Sequence, residues 1–336
     1  MNYFAKSHDS LDTLIDEFFQ CIIKEICLNE NNIVSILLLG SLSRGEGTWN
    51  IVNNKLAIES DIEFFIVHNP SLKTKKLIVE KIDNIKDRIL KKNDIVILAN
   101  TFHIDYSFIN IKNLKSMEKK LLIYDAKKTG RIIYGKDIRH LLPEVNINNI
   151  NLYDIKDILT HRAFSILDYK SKFLLTDLTT YKYVLAKNSL YLMNVYLVSK
   201  GVLSSGFVNS FNNYKHLCDN EKYIEYMNEC LKIKLGLDNH IDYDIDTMEN
   251  IFINILEDYK NIIKIKGCNL ISNIKSIIKR RLGIIKRILI SKEFPQSKYL
   301  ERLILLLQTG SSLEKKDYIT NYILNGYPNI SEVKHL

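Results

Sequence analysis

The sequence predicts an α+β protein, with a small mixed β-sheet and flanking helices over residues 1–145 and an all-α bundle over residues 146–336. Three observations predict it. Residues 33–39, 61–67 and 102–108 read as strands, all in the first part. After Pro143 one helical pattern follows another, with few strand signals. The whole chain of 336 residues holds only four prolines and twelve glycines, so long helices are favoured.

Taken in order, Asp9 or Ser10 can cap a first helix. In it Leu11, Leu14, Ile15, Phe18, Phe19, Ile22, Ile23 and Ile26 recur at helical spacing, and residues 29–32 end it. Residues 33–39 are continuously apolar, which suits a strand covered on both faces. The segment Gly40-Ser41-Leu42-Ser43-Arg44-Gly45-Glu46-Gly47 follows at once, a small-residue turn leading into a short polar stretch. Residues 49–59 contain Asn53-Asn54, a turn signal. After the strand at 61–67, residues 72–92 form a lysine-rich amphipathic helix, and 95–99 fit a third strand. Over 102–108, Phe102, Ile104, Tyr106 and Phe108 alternate with His103, Asp105 and Ser107, giving one apolar and one polar face. Residues 114–128 look helical, and 131–134 are a short extended piece. Helices are expected at roughly 152–175, 178–200, 218–235, 243–266, 270–292 and 297–308, with the domain boundary near 142–150.

Composition narrows the functional classes. Hydrophobic residues make up 46% and charged residues 26%, values of an ordinary globular chain rather than a disordered one. The net charge of +8 suits polyanionic partners such as nucleotides, but the wealth of Ile, Asn, Lys and Tyr lets codon bias account for many lysines. Five cysteines, none in a Cys-x-x-Cys pair, support neither a disulfide framework nor a zinc site. The first ten residues lack a signal peptide's apolar core, and no uncharged run is long enough to span a bilayer. A cytoplasmic location is the expectation.

The chemistry is carried by three carboxylates. Asp61 and Glu63, two apart on a strand, face the same side, while Ile62 and Phe64 face the core. Two such like charges repel, and a hard divalent cation such as Mg2+ relieves the conflict with oxygen ligands. Asp105 is a third carboxylate on the polar face of another strand. Three carboxylates on neighbouring strands can hold two metal ions about 4 Å apart for in-line phosphoryl or nucleotidyl transfer. The Gly40-Ser41 turn offers backbone N–H groups and a hydroxyl to an anion, and Arg44 adds a planar cation suited to phosphate.

These residues, read as LLLGSLSRGEGTW, SDIEFFIV and FHIDYSF, resemble the DNA polymerase beta-like nucleotidyltransferase superfamily. They look most like its small bacterial members, including the aminoglycoside nucleotidyltransferases. The resemblance covers residues 33–110 and extends weakly to 138. It implies a catalytic domain over 1–145 and a helical domain over 146–336 that helps form the acceptor site. It implies Asp61, Glu63 and Asp105 as metal ligands and catalytic carboxylates, with two Mg2+ ions or Mn2+ in their place. It further implies nucleotide binding at Gly40, Ser41 and Arg44, with an NTP such as ATP as donor. In related enzymes a helical-domain lysine often reaches the triphosphate, which points to Lys187 or Lys182. Two departures stand out: a longer interval between Gly40 and Asp61 than usual, read as an inserted hairpin or loop, and Glu63 where Asp is commoner.

The acceptor stays open at this point. A small hydroxylated molecule such as an aminoglycoside or sugar comes first. A protein hydroxyl, as in AMPylating enzymes, or an RNA end are alternatives, and a catalytically silent nucleotide-binding scaffold is the alternative of another class. Nucleic acid is compatible with the charge but not favoured, and a homodimer is compatible with the sequence. His103 shares the polar face with Asp105, where a structural hydrogen bond is the expected role. Arg44 can instead pair with Glu46. The basic amphipathic stretch 274–292 is expected to pack its Ile/Leu stripe on neighbouring helices.

Overall fold

A computed structural model describes residues 2–265, apart from 53, 94, 96–102, 151, 174–177 and 238–242. The strand expected at 95–99, Phe102, the helices expected at 270–292 and 297–308, the basic stretch 274–292 and Cys268 therefore lie outside the described residues, Ile95 excepted. The fold class is the expected one: a small mixed sheet with flanking helices, and a helical region after it.

The chain forms two compact units. The first comprises Met1–Asn151 together with Leu203–Asn213 and Leu231–His240; the second is built from Leu152–Val202, Tyr214–Cys230 and the described residues from Tyr243 to Ile265.

In the first unit, strands β1 (Ile33–Leu39), β4 (Ile62–His68), β5 (Ile104–Asn110) and β6 (Arg131–Gly135) form one sheet in the order β5-β4-β1-β6. β4 runs antiparallel to β1 and parallel to β5, and β6 runs antiparallel to β1. The continuous apolar runs are explained by coverage. Every residue of β1 except Val34, and every residue of β4 except Glu63, is buried. Two helices, α1 (Asp9–Ile22) and α3 (Lys75–Lys92), cover one face. Phe18, Phe19, Ile82, Ile85 and Ile89 pack there with Ile36, Leu38, Phe64 and Ile66. Each such side chain contributes about 1.5–3 kcal/mol on leaving water. α1 begins at Asp9 behind His8, which makes no side-chain cap, so neither Asp9 nor Ser10 has the expected capping role. It ends in a π-helical turn, Ile23–Cys27.

The interval between Gly40 and Asp61 holds a hairpin, β2 (Trp49–Val52) and β3 (Lys55–Ile58), as the long gap predicts. Asn54 turns it with φ of 62°, a conformation Asn tolerates better than most residues. The expected helix at 114–128 is divided. A 3-10 helix (Ile111–Ser116) comes first, and α4 (Leu121–Thr129) starts afresh after an extended Met117.

The second unit is helical, from α5 (Leu152–Phe173), α6 (Leu178–Ser199), most of α8 (Glu221–Leu235) and α9 (Ile245–Ile265). α6 is buried nearly all round, as a central helix must be. Its Tyr196 packs against Tyr214 and Tyr259, whose hydroxyls lie 2.9 Å apart. Buried Glu249 accepts from the Tyr181 hydroxyl and pairs with Lys170. One helix, α7 (Phe207–Leu217), was not expected: FVNSFNNYKHL is short and rich in Asn and Ser, which weaken an intrinsic helical signal.

Among the described residues no helix is long and apolar enough to cross a membrane. The four cysteines among the described residues are free, and burial pushes the thiols of Cys27 and Cys230 up to about 12, so neither is a reactive thiolate.

Candidate active site

The parallel pairing of β4 with β5 brings the carboxylates together. Glu63 is the register partner of Asp105, and Ile62 of Ile104. Paired residues project to the same side of a sheet, and residues two apart share a face. Asp61, Glu63, His103 and Asp105 therefore share one face at the start of the two strands, while Ile62 and Ile104 are buried on the other. The backbone bond from Ile62 N–H to His103 C=O, 3.0 Å, extends this register one step upstream.

His103 stands between two of the carboxylates. Its Nδ1 lies 2.8 Å from Asp61 Oδ1 and its Nε2 3.4 Å from Asp105 Oδ2. The Asp61 side chain is 16% exposed and that of Asp105 66%, so the group grades from sheltered to open. Oxygen donors of this kind suit a hard cation such as Mg2+. Among the described residues no three of the His, Cys, Asp and Glu side chains stand closed around a common ion position. The oxygen donors are of the kind that suits such a cation, and the strand register puts Glu63 and Asp105 side by side.

The turn after β1 joins this face through the sheet. Leu39 pairs with Glu63, so Gly40 follows directly beside that carboxylate. Gly40 has φ of +71°, and a Cβ there would meet Glu63 Oε1 at 2.6 Å. Glycine is thus required twice, for its backbone angle and for the space the carboxylate fills. α2 (Gly40–Arg44) carries the rest of the motif. Ser41 is half-buried and its carbonyl accepts from Glu46 N–H at 2.9 Å. The hydroxyl that closes the turn belongs to Ser43, donating to Gly40 C=O at 2.8 Å.

Arg44 is held by two carboxylates. Its Nε donates to Glu46 Oε2 at 2.8 Å, the pairing that the sequence allowed, and its NH1 donates to Asp125 Oδ2 at 3.1 Å. Desolvation raises the Asp125 carboxyl to about 6; Arg44 opposes this, and the charges of Glu46 and Glu63 reinforce it. Asp125, on α4, is thus electrically part of the candidate site, although nothing in its local sequence marks it.

Glu46 does further work. Its two oxygens accept the backbone N–H groups of Phe207 (3.1 Å) and Val208 (3.0 Å), the first residues of α7. A side chain far away in sequence therefore caps that helix. Gly206 precedes it with φ of +79°, and a Cβ there would meet Glu46 Oε1 at 2.8 Å.

The first unit thus brings Asp61, Glu63, Asp105, Gly40, Ser41 and Arg44 to one end of its sheet. Lys187 is half-buried on α6 of the second unit, and so is Lys182, whose ammonium is pushed below its ordinary value by burial against a weaker opposing pull from Asp244.

No family model matches the chain, and no curated protein matches it. Among solved structures, a spectinomycin adenyltransferase from Enterococcus faecialis, crystallised with ATP and spectinomycin, matches at 15% identity and a TM-score of 0.42, over 77% of this chain and 100% of that one.

Proposed function

We propose that the face carrying Asp61, Glu63 and Asp105 is the centre of a metal-dependent nucleotidyltransferase, which moves an NMP from an NTP to a hydroxyl acceptor. The observation that carries this reading is the register match of Glu63 with Asp105, with Asp61 two residues before on the same face and Gly40 packed against Glu63.

Asp61, Glu63 and Asp105 would hold Mg2+, or Mn2+ in its place. When bound there, the metal would supply neutralisation of phosphate charge and acidification of the acceptor hydroxyl. The chain's own residues do the rest. Gly40 and Ser41 border the triphosphate, and Arg44, fixed by Glu46 and Asp125, contributes positive charge beside it. Asp105, the most open of the carboxylates, accepts the proton of the acceptor hydroxyl. The acceptor oxygen forms a bond to the α-phosphorus, the bond to the bridging oxygen breaks, and pyrophosphate leaves. Positioning and charge neutralisation supply most of the rate. ATP is the proposed donor, and a small hydroxylated molecule such as an aminoglycoside or another sugar is the proposed acceptor.

The test is transfer itself. The protein is incubated with Mg2+, each NTP radiolabelled at the α-phosphate, and a panel of aminoglycosides, sugars and cell extract. The expected result is label on one acceptor class with pyrophosphate released, and none from the D61A/E63A double variant. Absence of transfer, of hydrolysis and of Mg-dependent NTP binding would leave a silent scaffold as the better account.

A further inference from the structure

Lys234 is the most deeply buried cation among the described residues of the first unit, with 1% of its surface exposed. Burying an ammonium is costly unless oxygens replace its water. Here they do. Nζ lies 2.8 Å from Thr48 Oγ1, 3.3 Å from Ser60 Oγ and 3.5 Å from the Glu46 carbonyl. The Thr48 hydroxyl in turn donates to the Lys234 carbonyl.

These partners are the two ends of one loop. Glu46 leaves the Gly40-Ser41 turn, to which its N–H is bonded through the Ser41 carbonyl. Ser60 immediately precedes Asp61. Between them lies the β2–β3 hairpin, closed at its base by Glu59 N–H to Thr48 C=O at 2.9 Å and by Thr48 N–H to Ser60 Oγ at 2.8 Å. A single ammonium thus ties the exit of the glycine turn to the entry of the carboxylate strand.

We propose that Lys234 is a positioning residue for Asp61. It fixes the Ser60–Asp61 corner against the Gly40-Ser41 turn, so that the carboxylate and the turn keep one spacing. A methionine of similar length would fill the space at a lower desolvation cost, but it would leave Ser60 and Thr48 without their shared donor. This inference rests on the metal-centre reading of Asp61, Glu63 and Asp105.

The test compares wild type, K234M, S60A and K234M/S60A by Mn2+ titration followed by electron paramagnetic resonance, with hydrogen exchange at the Thr48 and Glu59 amides. Loss of a group that orients a metal ligand typically weakens the metal by about 10–100-fold. K234M is expected to lose Mn2+ affinity by at least about tenfold within that range, with faster exchange at both amides. S60A removes the Lys234 contact and also the acceptor of the Thr48 N–H. It should lower Mn2+ affinity and speed exchange at Thr48, and the double variant should lose less affinity than the two single losses combined, since they share one linkage. If K234M does not fold, S60A, which cuts the linkage from the hairpin side, decides alone. Wild-type Mn2+ affinity in a folded K234M, or in S60A when K234M does not fold, would overturn the inference while leaving the centre intact. A wild-type protein that binds no Mn2+ would overturn the centre and the inference together.

Discussion

At the residue scale, the carboxylates were legible because alternation along a strand is a local property. Asp61, Glu63 and Asp105 each sit opposite an apolar neighbour, and that pattern needs no knowledge of the fold. Gly40 was legible as a turn residue, but its second role was not, since the Glu63 carboxylate that fills its missing side chain comes from another strand. Gly40→Ala should therefore cost about 1–2 kcal/mol from the left-handed backbone alone. The clash with Glu63 should add to that and move the carboxylate, so thermal melting and nucleotidyl transfer should both fall. Asp125 was invisible for the same reason: its partners Arg44, Glu46 and Glu63 are distant in sequence. Its raised carboxyl carries a signed prediction. A folded-state value of about 6 against 3.8 means that the folded protein holds the extra proton more tightly. Asp125 therefore subtracts stability above about pH 6, and that penalty fades as pH falls toward the unfolded value. Asp125→Asn keeps the shape and removes the half-buried charge. Melting curves should show it gaining on wild type above pH 6 and losing that advantage near pH 4, the region of the unfolded value. A constant difference across that range would contradict the assignment.

At the element scale, periodicity found β1, β4, β5, β6, α1, α3, α5, α6, α8 and α9, because each carries an apolar face or run. The hairpin was legible from the overlong gap and the Asn53-Asn54 turn signal, as a hairpin or loop rather than as two strands. Periodicity missed α7, whose start is stabilised by the Glu46 carboxylate rather than by a cap of its own. It ran α4 together with the 3-10 helix before it, since Leu114, Met117 and Leu121 keep helical spacing in the sequence although Met117 is extended. The capping of α7 is open to test. Glu46→Ala removes the acceptor of two backbone N–H groups and one partner of Arg44. Leaving buried donors unsatisfied costs about 1–3 kcal/mol. The loss should appear as a lower denaturant midpoint, with amide exchange at Phe207 and Val208 accelerated more than at β4. Unchanged exchange at those two amides would argue that α7 does not depend on Glu46.

At the scale of the whole molecule, the first unit is assembled from three separate stretches of chain. A linear reading of composition shifts cannot see such a return: residues 203–213 fall between two expected helices, and residues 231–235 fall inside the helix expected at 218–235. Lys234, the deepest cation of the first unit, lies in one of these returning stretches. The net charge of +8 and the long helices described the chain as a class. They did not indicate that late residues complete an early unit. The central claim is that Asp61, Glu63 and Asp105 act as one centre, and residues that act as a unit lose activity non-additively. The most direct measurement is kcat/KM for pyrophosphate release in wild type, D61A, E63A, D105A and the triple variant. The account predicts that each single variant falls nearly as far as the triple, by on the order of a thousandfold or more. Small losses that multiply across the three sites, or a triple variant that still releases pyrophosphate at the wild-type rate, would contradict it.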